Sequence, residues 1–108
     1  MKRDLHLIVT KEWFDKIVSG EKTIEYREIK QFWISRLFIK SQSPFLQYIP
    51  SSIFKDSPGR YLPRDFDRII IRCGYGKKTI IKRWLGTGIF PRGDLGNFSQ
   101  IGILLGDM

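Results

Sequence analysis

Three charged side chains of complementary chemistry lie within a short stretch of the sequence. They are Lys22, Glu25 and Arg27. A lysine, a glutamate and an arginine that converge can hold an anion, orient a planar polar ligand or alter one another's protonation. The same three residues can instead form an ion-paired rim around a sheet. Their types and spacing leave both interpretations open.

The elements around these residues predict how the side chains meet. Alternation predicts a strand over residues 5–10, after which Thr10 caps a short helix that ends at Gly20. Residues 22–29 then alternate as a second strand. Lys22 has the wrong parity for the polar face of that strand, so it can join the others only from the turn before the strand. The polar face itself carries Thr23, Glu25 and Arg27.

Several aromatic residues are candidates for stacking on a nucleobase. For four of them the helical spacing favours a place in the core over a stacking role: Trp13, Phe14, Phe32 and Trp33. Alternation places Tyr26 on an apolar strand face with Ile24, and so also in the core. The better stacking candidates lie in predicted loops: Tyr48, Tyr61 and Tyr75.

A group of basic residues falls on a predicted β-hairpin, in which strands 67–73 and 79–85 flank the turn 74–78. Its members are Arg68, Arg72, Lys77, Lys78, Lys82 and Arg83. Such a ribbon fits the phosphate backbone of a nucleic acid, because each neutralised phosphate adds salt-dependent affinity. A solvated basic edge that discourages pairing between sheets is an equally good explanation.

The remaining pattern completes a small α+β protein. A second helix is predicted over residues 30–38 and a last strand over residues 98–105. Residues 41–65 contain four prolines and are predicted to be a loop or short helical turns. The order β-α-β-α-loop-β-β-β predicts mostly antiparallel strands that curl into a barrel.

After the predicted first strand and helix, the sequence runs Gly20-x-Lys22-x-x-Glu25-x-Arg27. This pattern resembles the signature of ASCH domains, which belong to the PUA-like superfamily. The stretches 25–37, 66–75 and 103–106 also look like parts of the small stand-alone ASCH proteins of phages and bacteria. The resemblance implies a small PUA-like β-barrel of mostly antiparallel strands with two flanking helices.

The resemblance also implies a cleft beside the first helix that binds RNA or a modified nucleoside. The residues that would line it are Lys22, Thr23, Glu25 and Arg27. Some ASCH proteins are similar in outline to an amidohydrolase that removes acetyl from N4-acetylcytidine with a lysine, a threonine and a separate glutamate. Lys22 matches that lysine, but Glu25 stands where the threonine is expected, and Thr23 does not align with it. A hydrolase of a modified nucleoside or of RNA, with Lys22 and Glu25 catalytic, is the alternative to a binding domain.

Composition limits the function classes. The 108 residues suffice for a single domain spanning 1–108, and 19 Lys and Arg against 11 Asp and Glu give a net charge of +8. Such a basic domain favours a polyanion or an anionic small ligand, unless the charge only keeps the protein dispersed. No apolar run approaches the ~20 residues of a membrane-spanning helix, and the start does not resemble a signal peptide. We therefore expect a cytoplasmic protein that does not enter a membrane.

The sequence predicts neither a metal nor a cofactor. Cys73 and His6 are single, so they supply neither a cysteine-built nor a histidine-built metal site. The scattered glycines match no phosphate-cradling motif. RNA or a nucleoside is the expected partner, and a protein that contacts residues 41–63 is a third hypothesis.

Overall fold

The computed structural model describes residues 3–40, 61–91 and 99–108. Their helices and strands follow the chain in the order β1 (Asp4–Val9), α1 (Lys11–Val18), β2 (Ile24–Arg27), α2 (Gln31–Leu37), β3 (Phe38–Lys40), β4 (Tyr61–Pro63), β5 (Arg68–Cys73), β6 (Thr79–Pro91) and β7 (Ser99–Gly106).

The strands form two sheets. One sheet has five strands in the order β1-β5-β6-β7-β2, and the other pairs β3 with β4. Strand β1 runs parallel to β5, whereas the pairs β5/β6 and β3/β4 are antiparallel. The predicted PUA-like β-barrel of mostly antiparallel strands is therefore wrong, because the described residues form a mixed sheet and a small second sheet without a closed barrel. Alternation of apolar and polar residues identifies the two faces of a strand but neither its direction nor its partner. The parallel pairing of β1 with β5 could therefore not be predicted from the alternation.

The contacts divide the chain into two compact units. The first comprises Met1–Glu25, Asp65–Gly86 and Ile103–Met108, and the second comprises Tyr26–Arg64 and Thr87–Gly102. The core of the first unit contains Leu5, Leu7, Val9, Phe14, Ile17, Phe66, Ile69, Ile71, Ile103 and Leu105. The core of the second unit contains Ile34, Leu37, Phe38, Tyr61 and Ile101. A single domain over residues 1–108 stays a prediction.

Helix α1 begins and ends where the sequence predicts. The Thr10 hydroxyl oxygen accepts a hydrogen bond from the Trp13 N–H at 3.4 Å, and Gly20 ends the helix with φ at 83°. Phe14 and Ile17 are buried, but Trp13 is 42% exposed. The prediction that Trp13 lies in the core is wrong, because a helix of eight residues turns only a narrow face towards the sheet.

In the second unit, helix α2 runs directly into β3. Arg64 holds the chain that follows β4: its N–H donates to the Leu37 carbonyl oxygen at 2.8 Å and its Nε to the Ser35 carbonyl oxygen at 3.3 Å. Residues 61–63 form a strand rather than the predicted loop. Tyr61 is only 4% exposed, so its ring is not accessible to a base. The rest of the predicted loop, with Tyr48, lies outside the described residues.

Strand β6 is longer than its predicted counterpart. It continues beyond Leu85 to Pro91 and includes Gly86 and Gly88, although glycine is depleted in strands. Within residues 3–40, 61–91 and 99–108, no helix combines the length and the apolar composition needed to cross a membrane.

An arginine–aspartate pair joins β1 to β5. The Asp4 carboxylate accepts hydrogen bonds from Arg68, at 2.8 Å from Nε and at 3.2 Å from Nη2. These bonds lower the pKa of Asp4 from its ordinary value of 3.8 and raise the pKa of Arg68. Because the pKa of Asp4 is lowered on folding, the pair stabilises the protein at neutral pH, and this contribution is lost as the pH falls through the Asp4 pKa.

This pair can be tested by titrating the Asp4 carboxyl with NMR. We expect a midpoint below 3.8 in the wild-type protein and a return towards 3.8 in Arg68→Gln. A midpoint that does not respond to Arg68→Gln would show that another group sets the Asp4 pKa.

Candidate functional site

The turn between α1 and β2 places Lys22 beside Glu25. The Lys22 N–H donates to the Lys16 carbonyl oxygen at 3.0 Å, which folds the turn back onto the helix. The Leu105 N–H donates to the Thr23 carbonyl oxygen at 2.9 Å and fixes the start of β2 against β7. Lys22 therefore reaches Glu25 from the turn, as its parity in the sequence requires.

The side chains of Lys22 and Glu25 form a largely buried ion pair. Lys22 Nζ lies 3.7 Å from Glu25 Oε1, and the two side chains are 15% and 7% exposed. A buried carboxylate costs free energy unless a cation or hydrogen-bond donors offset it, so the ammonium group stabilises the charge of Glu25. The pair also sets a donor next to an acceptor.

Trp13 extends this pair towards solvent. The ammonium groups of Lys16 and Lys22 each lie 4.8 Å from the centroid of the Trp13 ring. Cations at this distance are attracted by the face of the indole ring. We define the charged corner as Trp13, Lys16, Lys22 and Glu25. Trp13 was predicted as a core residue and Lys16 was not predicted for the site, although their three-residue spacing on a helix indicates that their side chains are neighbours.

The charged corner suits a planar polar ligand. It combines an aromatic surface, a cation and a buried acceptor within the first unit. A nucleobase matches these features, since it has a π face and carries donors and acceptors along one edge. Thr23, which was also predicted to bind the ligand, is exposed. Catalysis by Lys22 and Glu25 stays a prediction.

Strand β2 buries the face that carries its glutamate. Glu25 is 6% exposed, Ile24 is half-buried and Tyr26 is 38% exposed. The prediction that Tyr26 lies in the core is therefore wrong. Its ring meets the Phe90 ring edge-on at 6.3 Å instead. Alternation separates the two faces of a strand, but it does not decide which face packs inward when the buried side holds an ion pair.

Arg27 belongs to the second unit and has aromatic neighbours there. Its guanidinium carbon lies 5.0 Å from the centroid of the Trp33 ring, and that ring meets the Phe32 ring edge-on at 4.9 Å. Arg36 lies 3.5 Å from the centroid of the Phe32 ring. Phe32 is 49% exposed, so its prediction as a core residue is wrong. The cleft that would combine Arg27 with Lys22 and Glu25 stays a prediction.

The six basic residues of the hairpin do not share one surface. Arg68 is held by Asp4. Lys82 pairs in register with the buried Ile69 and so lies on the inner side of the sheet, 12% exposed, with its Nζ 3.3 Å from Asp107. Successive strand residues point to opposite faces, which separates Lys82 from its neighbour Arg83. The exposed basic residues are Arg68, Arg72, Lys77, Lys78 and Arg83.

The turn of the hairpin presents an aromatic ring beside two lysines. Tyr75 is 93% exposed. The Cys73 N–H donates to the Lys78 carbonyl oxygen at 3.0 Å and closes the turn, and the Gly74 N–H donates to the Val9 carbonyl oxygen at 2.7 Å and ties the turn to the end of β1. We define the hairpin tip as Tyr75, Lys77 and Lys78, whose side chains are all exposed.

In the part of the chain that the structure describes, no three His, Cys, Asp or Glu side chains are grouped to hold a metal ion. Comparison of the chain with protein-family models, with curated proteins and with solved structures gives no match. The resemblance to ASCH domains therefore rests on the sequence pattern alone and stays a prediction.

Proposed function

We propose that the chain is a cytoplasmic RNA-binding module of the ASCH type. The hairpin tip contacts a single-stranded segment, and the charged corner holds one base, either standard or modified. The observation that carries the proposal is the 93% exposure of Tyr75 on a turn that also exposes Lys77 and Lys78.

The hairpin tip has the two components of a surface for single-stranded nucleic acid. An exposed tyrosine ring can stack on a base of any sequence, and such stacking contributes about 1–3 kcal/mol per base. The two lysines can neutralise neighbouring phosphates and release their counterions. The net charge of +8 draws a polyanion to the protein in the first place.

The charged corner supplies the contacts that a single base needs. Glu25 accepts from the amino or imino groups of the base, and Lys22 donates to a ring nitrogen or carbonyl oxygen. The base lies against Trp13 and displaces Lys16, because the Lys16 side chain is 37% exposed and can move into solvent, whereas Lys22 is 15% exposed.

Both sites belong to the first unit and are connected through the start of α1. The Gly74 N–H binds the carbonyl oxygen of Val9, and the next residue, Thr10, caps the helix that carries Trp13. A single strand of RNA can therefore bind along a path that runs from the hairpin tip, across the end of β1, to α1.

The decisive experiment is fluorescence anisotropy of a labelled single-stranded RNA of about ten nucleotides across a salt series. We expect affinity that falls steeply with salt. Tyr75→Ala should weaken binding about tenfold, because one stacked base is lost, whereas Tyr75→Phe should bind like the wild-type protein. Because Tyr75 is exposed, neither substitution should change the stability of the fold.

Tyr75→Leu is the matched control, since leucine keeps an apolar side chain but has no π face. It should lose affinity as Tyr75→Ala does. Wild-type protein that fails to bind RNA even at low salt would overturn the proposed function. Unchanged affinity in Tyr75→Ala would show that the hairpin tip is not part of the RNA-binding surface.

A further inference from the structure

A separate surface of the first unit lies on the outer side of the sheet formed by β1, β5 and β6. The register places side chains of the three strands side by side in rows. One row consists of Asp4, Arg68 and Arg83, the middle row of His6, Ile70 and Ile81, and the third of Ile8, Arg72 and Thr79. We define these nine residues as the open face.

The open face and the strand end beside it expose large apolar side chains. Ile8 is 45% and Ile81 is 40% exposed, and Leu85, two residues beyond Arg83 on the same side of β6, is 58% exposed. A shallow depression of about 160 Å³ is lined by His6, Leu7, Ile8, Ile70 and Arg72. Several exposed apolar side chains and a depression on one face of a sheet indicate an interaction site.

The charge of the open face limits what can cover it. Its three arginines and one aspartate leave a charge of +2, since Arg68 is held by Asp4 while Arg72 and Arg83 point to solvent. A second copy of the same face would bring like charges together. The nine residues include no Phe, Tyr or Trp ring on which bases could stack, and His6 is their single ring, which disfavours a nucleic acid. The complementary surface is apolar and acidic.

We propose that the open face docks an acidic amphipathic helix of a partner protein. The two outer rows lie four residues apart along the strands, or about 13 Å, which accommodates an α-helix about 10–12 Å in diameter lying along the middle row. An apolar side chain of the helix enters the depression beside Ile8. Carboxylates on either side of the apolar stripe bind Arg72 and Arg83, which lie on the two outer rows.

The test uses the full chain and a synthetic helical peptide of about 18 residues with a leucine stripe flanked by glutamates. Isothermal titration calorimetry should show saturable binding. Ile81→Ser and Arg83→Glu should each weaken it at least tenfold. Ile39→Ser is the matched control, because Ile39 is 41% exposed but lies on β3 of the second unit, and it should leave the affinity unchanged.

Two further peptides test whether the open face requires both the acidic charge and the apolar stripe of the helix. A peptide with lysine in place of glutamate, and one of the same composition with its leucines scattered, should both bind at least tenfold more weakly. Equal binding of either peptide, or no saturable binding of the acidic one, would overturn the proposal. It would also be overturned if Ile81→Ser weakened RNA binding or abolished self-association in place of peptide binding, because RNA or a second copy would then be the occupant.

Discussion

Replacing Lys22 with methionine is expected to lower the free energy of unfolding by about 3 kcal/mol, the lower end of the cost of breaking a buried ion pair. Methionine keeps the length and apolar stem of the side chain but removes the ammonium group 3.7 Å from Glu25. The Glu25 carboxylate, 7% exposed, then loses an ammonium group that offsets its burial. Urea unfolding at neutral pH measures this as a lower midpoint with an unchanged dependence on urea concentration.

The double variant Lys22→Met/Glu25→Leu separates the pair from its surroundings. Removal of both charges should restore the free energy of unfolding to within about 1 kcal/mol of the wild-type value, because the buried carboxylate is removed together with the ammonium group that offsets it. Lys11→Met is the control. It breaks a shorter ion pair, with 2.8 Å between Lys11 and Asp15, but the side chains are 77% and 59% exposed, so stability should not change measurably. Equal losses in Lys22→Met and Lys11→Met would contradict the burial of the first pair.

The same double variant decides between a structural strut and a binding site. A stable protein that binds RNA with unchanged affinity and unchanged base preference would make the pair a strut of β2. Loss of base preference, with the salt dependence retained, would place base recognition at the charged corner. The two results differ because the hairpin tip, which contributes the salt dependence, is intact in the variant.

Local features were the most predictable from the sequence. The cap at Thr10 and the left-handed residue Gly20 each depend on the chemistry of one residue and its immediate neighbours. The hairpin of β5 and β6 was also predictable, since its strands are joined by a short turn. The exposed aromatic ring at that turn, Tyr75, followed from the same pattern.

Features that depend on distant parts of the chain were not predictable in this way. Strand β1 pairs in parallel with β5, about sixty residues later, and no local pattern encodes that choice. The buried side of β2 carries Glu25, whose charge is offset by an ion pair with Lys22. Hydrophobicity alone would assign that side of the strand to solvent. The opposite orientations of Lys82 and Arg83, in contrast, could be predicted from the sequence, since neighbouring residues of a strand point to opposite faces.

Reversing the charge of the hairpin tip should have the largest effect on RNA binding. Lys77→Glu/Lys78→Glu is expected to lower affinity about 100-fold at about 50 mM salt, because two phosphate contacts become repulsive. The neutral pair Lys77→Ala/Lys78→Ala should reduce the slope of log affinity against log salt by about 1.4, or about 0.7 for each phosphate of a single strand. Anisotropy across the salt series measures both quantities.

Net charge must be separated from local contact in this experiment. Each Lys→Glu change removes two units of charge, so two of them take the protein from +8 to +4 wherever they are placed. Lys30→Glu/Lys40→Glu makes the same change at exposed lysines of the second unit. We expect this control to lose less than about tenfold, because lysines that do not contact the RNA act only through a field that salt screens, with a Debye length of about 14 Å at this concentration. If it loses as much affinity as Lys77→Glu/Lys78→Glu, RNA is attracted by overall charge alone, and Tyr75 rather than the lysines must account for any preference for the hairpin tip.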